Sequence, residues 1–151
     1  HRLEASPHRG ASTHRQHFMD SPVHRLQQAL NHHKNGNETM KDTVILVTNN
    51  GMGNAEPALQ HKLAAKYFEI IAQNTSLPVA ICFYAEGVKL IVTGSPVLKQ
   101  LKALEEKGVR LIICSTCLDF YNISDQVQLG IVGGMPDIIE AQIKAAKVIT
   151  I

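Results

Sequence analysis

The order of apolar and polar positions divides the chain in two. From residue 43 onward, short β-branched runs alternate with stretches of helical spacing. Thr43-Val44-Ile45-Leu46-Val47-Thr48 is a continuous apolar run, which predicts a strand buried on both faces, as in a parallel sheet. It ends in Asn49-Asn50-Gly51-Met52-Gly53-Asn54, a loop signal. Pro57 suits a first helical position, and Leu59, Leu63, Tyr67, Ile70 and Ile71 follow at helical spacing, predicting a helix over 57–73. Val79 to Tyr84 reads as a second buried strand. Glu86-Gly87 opens a loop, and Val88 to Val92 fits either a strand or a short helix. Gly94-Ser95-Pro96 predicts a helix start, with Val97, Leu98, Leu101 and Leu104 as its buried stripe and Gly108 as its stop. Val109 to Ile113 is the third strand and runs straight into Cys114-Ser115-Thr116-Cys117.

The elements that follow are shorter. Ser124 to Val127 suggests a turn of helix, and Gly130 to Gly134 a short strand and turn. Met135-Pro136 opens a helix carrying Ile138, Ile139, Ile143 and Ala146, and Lys147 to Ile151 is a closing strand. Strands alternating with helices predict an α/β domain over 41–151 with a parallel sheet covered on both faces.

Residues 1–40 follow a different pattern, rich in His, Arg, Ser, Asn and Gln and poor in apolar positions. Such a stretch buries too little apolar surface to offset its ordering entropy. One short helix is expected at most, with Ser21 as cap, Pro22 in its first turn, and Val23, Leu26 and Leu30 roughly on one face. The segment reads as a disordered extension, an appended expression remnant or translated upstream sequence, rather than as a His-rich metal site, because its histidines lack ligand spacing.

Charge changes little in this picture. The net charge of +2 lies in the first 40 residues, and the remainder is neutral, with 10 residues of each sign. A neutral domain gives no electrostatic case for nucleic acid. No apolar run reaches the roughly 18 residues a membrane span needs, and no signal-peptide pattern opens the chain. Three cysteines do not suggest a secreted disulfide framework. The expectation is a cytoplasmic protein with reduced thiols and no cofactor.

The candidate chemistry is at Cys114 and Cys117. Cys114 should stand at the carboxyl edge of the sheet, where ligands and reactive groups gather in such folds. Backbone N–H groups of a following helix would stabilise a thiolate there, Ser115 and Thr116 add hydroxyl donors, and Asp119 would oppose the charge. Four readings stay open: a thiol carrying persulfide sulfur, a dithiol redox pair, half of a zinc site, or two small packing residues. Zinc would need Cys82 and His61 as further ligands, and Cys82 is expected in the core. Gly51-Met52-Gly53 hints at a phosphate cradle, but Glu56 stands where the dinucleotide fingerprint has its third glycine, so turn chemistry is the plainer reading. This loop could still share a pocket with Cys114. Tyr84, Glu86 and Gly87, after the second strand, are candidates for the same pocket, although core packing for Tyr84 and a solvated tip for Glu86 explain them as well.

The stretches Val44 to Gly53, Phe83-Tyr84-Ala85-Glu86-Gly87-Val88-Lys89-Leu90, Gly94-Ser95-Pro96-Val97-Leu98, Lys107-Gly108-Val109 and Cys114-Ser115-Thr116-Cys117-Leu118 occur in this order in a known family. In combination they make residues 41–151 resemble the DsrE-like family, nearest to the C-terminal domain of the YedF-type sulfurtransferase-like proteins of selenium metabolism. The resemblance implies a flavodoxin-like three-layer α/β sandwich with a mostly parallel five-stranded sheet, and a homo-oligomer, a trimer or hexamer. It also implies that the cysteine after the third strand, here Cys114, accepts persulfide sulfur. Cys117 carries over less securely, because sulfur-relay members do not all have it. YedF proteins place a TusA-like domain ahead of this one, whereas residues 1–40 contain no cysteine, so a sulfur donor or acceptor is expected to be a separate protein. The alternatives are a non-enzymatic oligomeric binding or scaffold protein and a Cys114–Cys117 redox switch.

Overall fold

A computed structural model describes residues 21–34 and 40–151. The chain divides into two units, His1–Glu38 and Thr39–Ile151, treated separately. In the first, helix α1 spans Pro22–Lys34. Its start is as the sequence predicts: Ser21 Oγ accepts the backbone N–H of His24 at 3.1 Å, which satisfies one of the donors a helix start leaves open. The expectation of disorder for the rest of residues 1–40 falls on 1–20 and 35–39, outside the described residues.

The second unit is a five-stranded sheet with helices on both faces. In chain order it runs β1 (Thr43–Val47), α2 (Pro57–Gln73), β2 (Ala80–Phe83), a 3-10 segment (Ala85–Leu90), α3 (Leu98–Glu106), β3 (Arg110–Cys114), α4 (Ser115–Phe120), a 3-10 turn (Ser124–Gln126), β4 (Ile131–Gly133), α5 (Met135–Lys144) and β5 (Lys147–Thr150). The strand order is β4-β3-β2-β1-β5, and every pairing is parallel. The chain steps from β1 to β4 in one direction and then crosses back to add β5 beside β1. Right-handed crossovers put α2 and α3 on one face and α5 on the other, and accordingly α2 packs on α3 while α5 packs on β3 and β4. This is the expected three-layer α/β sandwich.

Burial follows position in the sheet. All five residues of β1 and all four of β2 are buried, because both strands have neighbours on each side and helices above and below. The edge strands β4 and β5 stay largely exposed. The core is aliphatic, with Ile45, Ile81, Leu101, Leu104, Leu111 and Ile113 fully buried around Phe68 and Phe83. Each such side chain contributes about 2 kcal/mol on removal from water.

Several features differ from the sequence expectation. In α2 the residues at helical spacing are not the buried face: Leu59, Leu63 and Ile70 are exposed, and Ala64, Phe68 and Ala72 are buried. Helix α3 begins at Leu98, not at Pro96, because Ser95 Oγ takes the N–H of Val97 at 3.3 Å in a turn ahead of the helix. The ambiguous stretch after Glu86 becomes a 3-10 segment. In α5 the expected stripe contributes one buried residue, Ile138; Ile139 and Ile143 face outward, and Ala146 lies beyond the helix.

Candidate functional site

The cysteine loop is built where β3 turns into α4. Cys114 is the last residue of β3 and the residue that precedes α4, in extended conformation. It pairs in register with Gly133 of β4, while on the other side Ile113 pairs with Phe83, so Tyr84 follows at the level of Cys114. With strands on both sides, Cys114 is only 1% exposed. Cys117 comes three residues later in the first turn of α4 and is half-buried. That spacing returns to the same helix face, so the two thiols lie about one turn apart.

A second segment closes on this pair. After β2 the chain crosses the end of β1: the N–H of Tyr84 donates to the carbonyl of Val47 at 3.1 Å. Gly87 then lies so close to β1 that a Cβ there would sit 2.0 Å from the Val47 oxygen, so no side chain fits. Between these two anchors, Ala85 adopts a left-handed φ of 50°, at a cost on the order of 1 kcal/mol for a residue with a Cβ. In that conformation its N–H points at Cys117 and donates to Sγ at 3.1 Å. Lys89 stands nearby, 4.4 Å from the centre of the Tyr121 ring and 3.9 Å from a Glu86 oxygen.

These contacts act on Cys117 in opposite directions. Burial pushes its thiol pKa up, the neighbouring Cys114 thiol pushes it further, and the Ala85 N–H pulls it down, with a net rise. Asp119, expected to oppose a thiolate, is engaged elsewhere by the hydroxyl of Ser124 at 2.7 Å.

The other sequence candidates are distributed as follows. Ser115 is half-buried and Thr116 exposed beside the thiols. Tyr84 is half-buried against the core, and Glu86 is exposed. The Gly51–Gly53 loop is bound to α2. Gly51 has φ 139° and lies against Gln60, Met52 N–H donates to the Gln60 carbonyl, and the Gly53 carbonyl accepts from Asn49 Nδ2 and Gln60 Nε2. Its polar groups are thus used in a structural turn. Cys82 is fully buried, and burial pushes its thiol up to about 11. His61 shares a 3.3 Å hydrogen bond with Asn50 Oδ1. Among the described residues no three His, Cys, Asp or Glu side chains come together as a metal site. A groove of about 400 Å³ between α2 and α3, lined by Glu69, Gln73, Lys99, Gln100 and Lys107 among others, contains neither cysteine. Sequence reasoning missed Ala85. An alanine gives no signal of a thiol neighbour, and only the fold brings it to α4.

Residues 41–151 match the DsrE/DsrF-like family. The chain belongs to that family. No curated protein matches it. Among solved structures, the DsrE-like domain is similar to the ychN protein of E. coli (19% identity, 73% of this chain and 99% of that one, TM-score 0.54). It is also similar to the protein MTH1491 of Methanobacterium thermoautotrophicum (18% identity, 72% and 98%, TM-score 0.52). A third relative in fold is BT1422 of Bacteroides thetaiotaomicron (14% identity, 76% and 98%, TM-score 0.56). At these identities the likeness is one of fold.

Proposed function

We propose that this DsrE-like chain carries sulfane sulfur as a cysteine persulfide, with Cys114 as the residue that holds it and Cys117 as its partner thiol. The observation that carries the reading is the arrangement at the sheet edge: two thiols one turn apart, one of which accepts a backbone N–H from Ala85. A thiolate attacks a donor persulfide, and a positioned N–H stabilises negative charge on sulfur. The free state of the cysteines suits a reducing cytoplasm; among the described residues no helix is long and apolar enough to cross a membrane.

The partners in this reading are a separate protein that supplies or receives the sulfur, and further copies of the chain. Copies would associate through the exposed apolar side chains of β4 and α5, Ile131, Val132, Met135, Ile139 and Ile143. Met135, Ile139 and Ile143 recur every four residues and so line one face of α5, and exposed apolar surface of this kind marks an association site. A dithiol redox switch is the second reading, favoured by the spacing of the two free thiols about one turn apart.

The test is intact-mass and peptide analysis after anaerobic incubation with a cysteine desulfurase and cysteine. The expected result is a gain of about 32 Da, mapped to Cys114 in the wild-type chain and absent from the Cys114→Ser/Cys117→Ser double variant. No gain on the wild-type chain, or an equal gain on the double variant, would sink the reading.

A further inference from the structure

We propose that sulfur is received on Cys117 and then handed inward to Cys114, so that the outer thiol is the receiver and the inner one the store. This rests on the sulfur-carrier reading above and assigns the order of its two thiols and the chemical class of its donor, a persulfide.

The order follows from access. Persulfide transfer requires the attacking thiolate to approach the sulfur–sulfur bond of the donor along its axis. Cys114 is 1% exposed, flanked by β2 and β4 and followed by α4, so the cysteine of a protein donor has no line of approach to it. Cys117 lies on the outer turn, next to exposed Thr116 and one turn from Phe120, which is 83% exposed. Sulfur can therefore be delivered to Cys117, and Cys114, at the cap of the same helix about one turn away, is placed to receive it.

Two balanced steps describe the transfer. In the first, the Cys117 thiolate attacks the outer sulfur of R–S–SH. The Cys117–S–SH bond forms, the donor's sulfur–sulfur bond breaks, and R–S⁻ departs with the electron pair. In the second, the Cys114 thiolate attacks the outer sulfur of that persulfide. Cys114–S–SH forms, and the sulfur of Cys117 leaves as a thiolate. Neither step changes the net oxidation state, so no external oxidant or reductant is needed. The Ala85 N–H, 3.1 Å from Cys117 Sγ, is placed to stabilise that departing thiolate, and a stabilised leaving thiolate leaves faster. The stored sulfur then sits where solvent thiols reach it more slowly than they reach Cys117.

The experiment uses glutathione persulfide as the probe, added anaerobically to the full chain. Samples are alkylated at a series of times, and the added sulfur is located by tandem mass spectrometry. In the wild-type chain sulfur is expected first on Cys117 and later on Cys114. Cys114→Ser should load Cys117 at the wild-type rate and go no further. Cys117→Ser and Cys117→Ala should load Cys114 about tenfold more slowly, as restricted access dictates. Urea unfolding of each variant separates a folding defect from a transfer defect, and the order of appearance in the wild-type chain needs no variant at all. Loading of Cys114 at the wild-type rate without Cys117, or sulfur on Cys114 before Cys117, overturns the proposal while leaving the carrier reading intact. A Cys114–Cys117 disulfide with release of hydrogen sulfide overturns it in favour of the redox switch. A wild-type chain that takes no sulfur overturns both.

Discussion

The backbone N–H of Ala85 donates to Sγ of Cys117 at 3.1 Å across 32 positions of sequence. The two residues belong to different strand–helix units, Ala85 following β2 and Cys117 following β3. Their meeting depends on parallel neighbours that end at the same edge of the sheet, and on the close approach of Gly87 to β1. The donor is a main-chain group, so side-chain substitution at position 85 leaves it in place. What disturbs it is a change in the path of the backbone.

Gly87→Ala is therefore expected to be far more damaging than its size suggests. A Cβ at that position would lie 2.0 Å from the carbonyl oxygen of Val47 and 2.7 Å from its carbon. The segment must move to relieve the clash. We expect a loss of about 3 kcal/mol, read from urea unfolding, together with slower alkylation of Cys117, because withdrawing the N–H that pulls its thiol down leaves less thiolate. Wild-type stability for this variant would show that the approach of the segment to β1 is not a packing constraint.

Cys82 gives a pH dependence with a definite sign. Burial raises its thiol from 9.0 to about 11 in the folded chain. Between those values the unfolded chain has lost the proton and the folded chain retains it, so the unfolded state binds fewer protons and stability falls as pH rises. The contribution is complete below pH 9 and is lost as pH passes about 11. Its size is on the order of 2 kcal/mol. Cys82→Ala should show a shallower decline over this window than the wild-type chain, and parallel curves would refute the assignment.

Helix α5 offers a pair of isoleucines with opposite outcomes. Ile138 is 1% exposed and Ile143 is 78% exposed. Ile138→Ala should cost about 3 kcal/mol, and Ile143→Ala less than about 0.5 kcal/mol, by chemical denaturation of dilute protein. Equal costs would mean that Ile143 is covered in solution, which would itself favour association of copies through this face.

That association has its own measurement. Ile131→Lys combined with Ile143→Glu places charge in the exposed apolar surface of β4 and α5. If copies meet there, the double variant should sediment as a smaller species than the wild-type chain at the same concentration, with unfolding in dilute solution changed by less than about 1 kcal/mol. Identical sedimentation would place the contact elsewhere or exclude it.

Legibility from sequence tracked the range of the interactions involved. The run from Thr43 to Val47 announces β1 because a strand covered on both faces must be apolar throughout, and Pro57 to Gln73 announces α2 because one face of a helix must repeat. Helix α4 has six residues, too few for a period to show, so the element that carries Cys117 left no trace in the pattern. The start of α3 was misplaced by two residues because Ser95 serves a turn and not the helix. At the site, Cys114 and Cys117 were visible as chemistry. The difference in their burial was not, since it depends on β4 lying beside β3. Ala85 was invisible for a further reason: a left-handed alanine is held by its surroundings and not by its own preference.

Helix α5 buries one side chain fully against the sheet, Ile138, with Ala141 half-buried beside it. Protection of its amides against hydrogen exchange should accordingly reflect a local opening well below the free energy of global unfolding, while β1 and β2 exchange only when the whole domain opens. The layer over β3 and β4 is thus the softest part of the sandwich, and whatever covers its outer face sets how often the strand that ends in Cys114 is uncovered from that side.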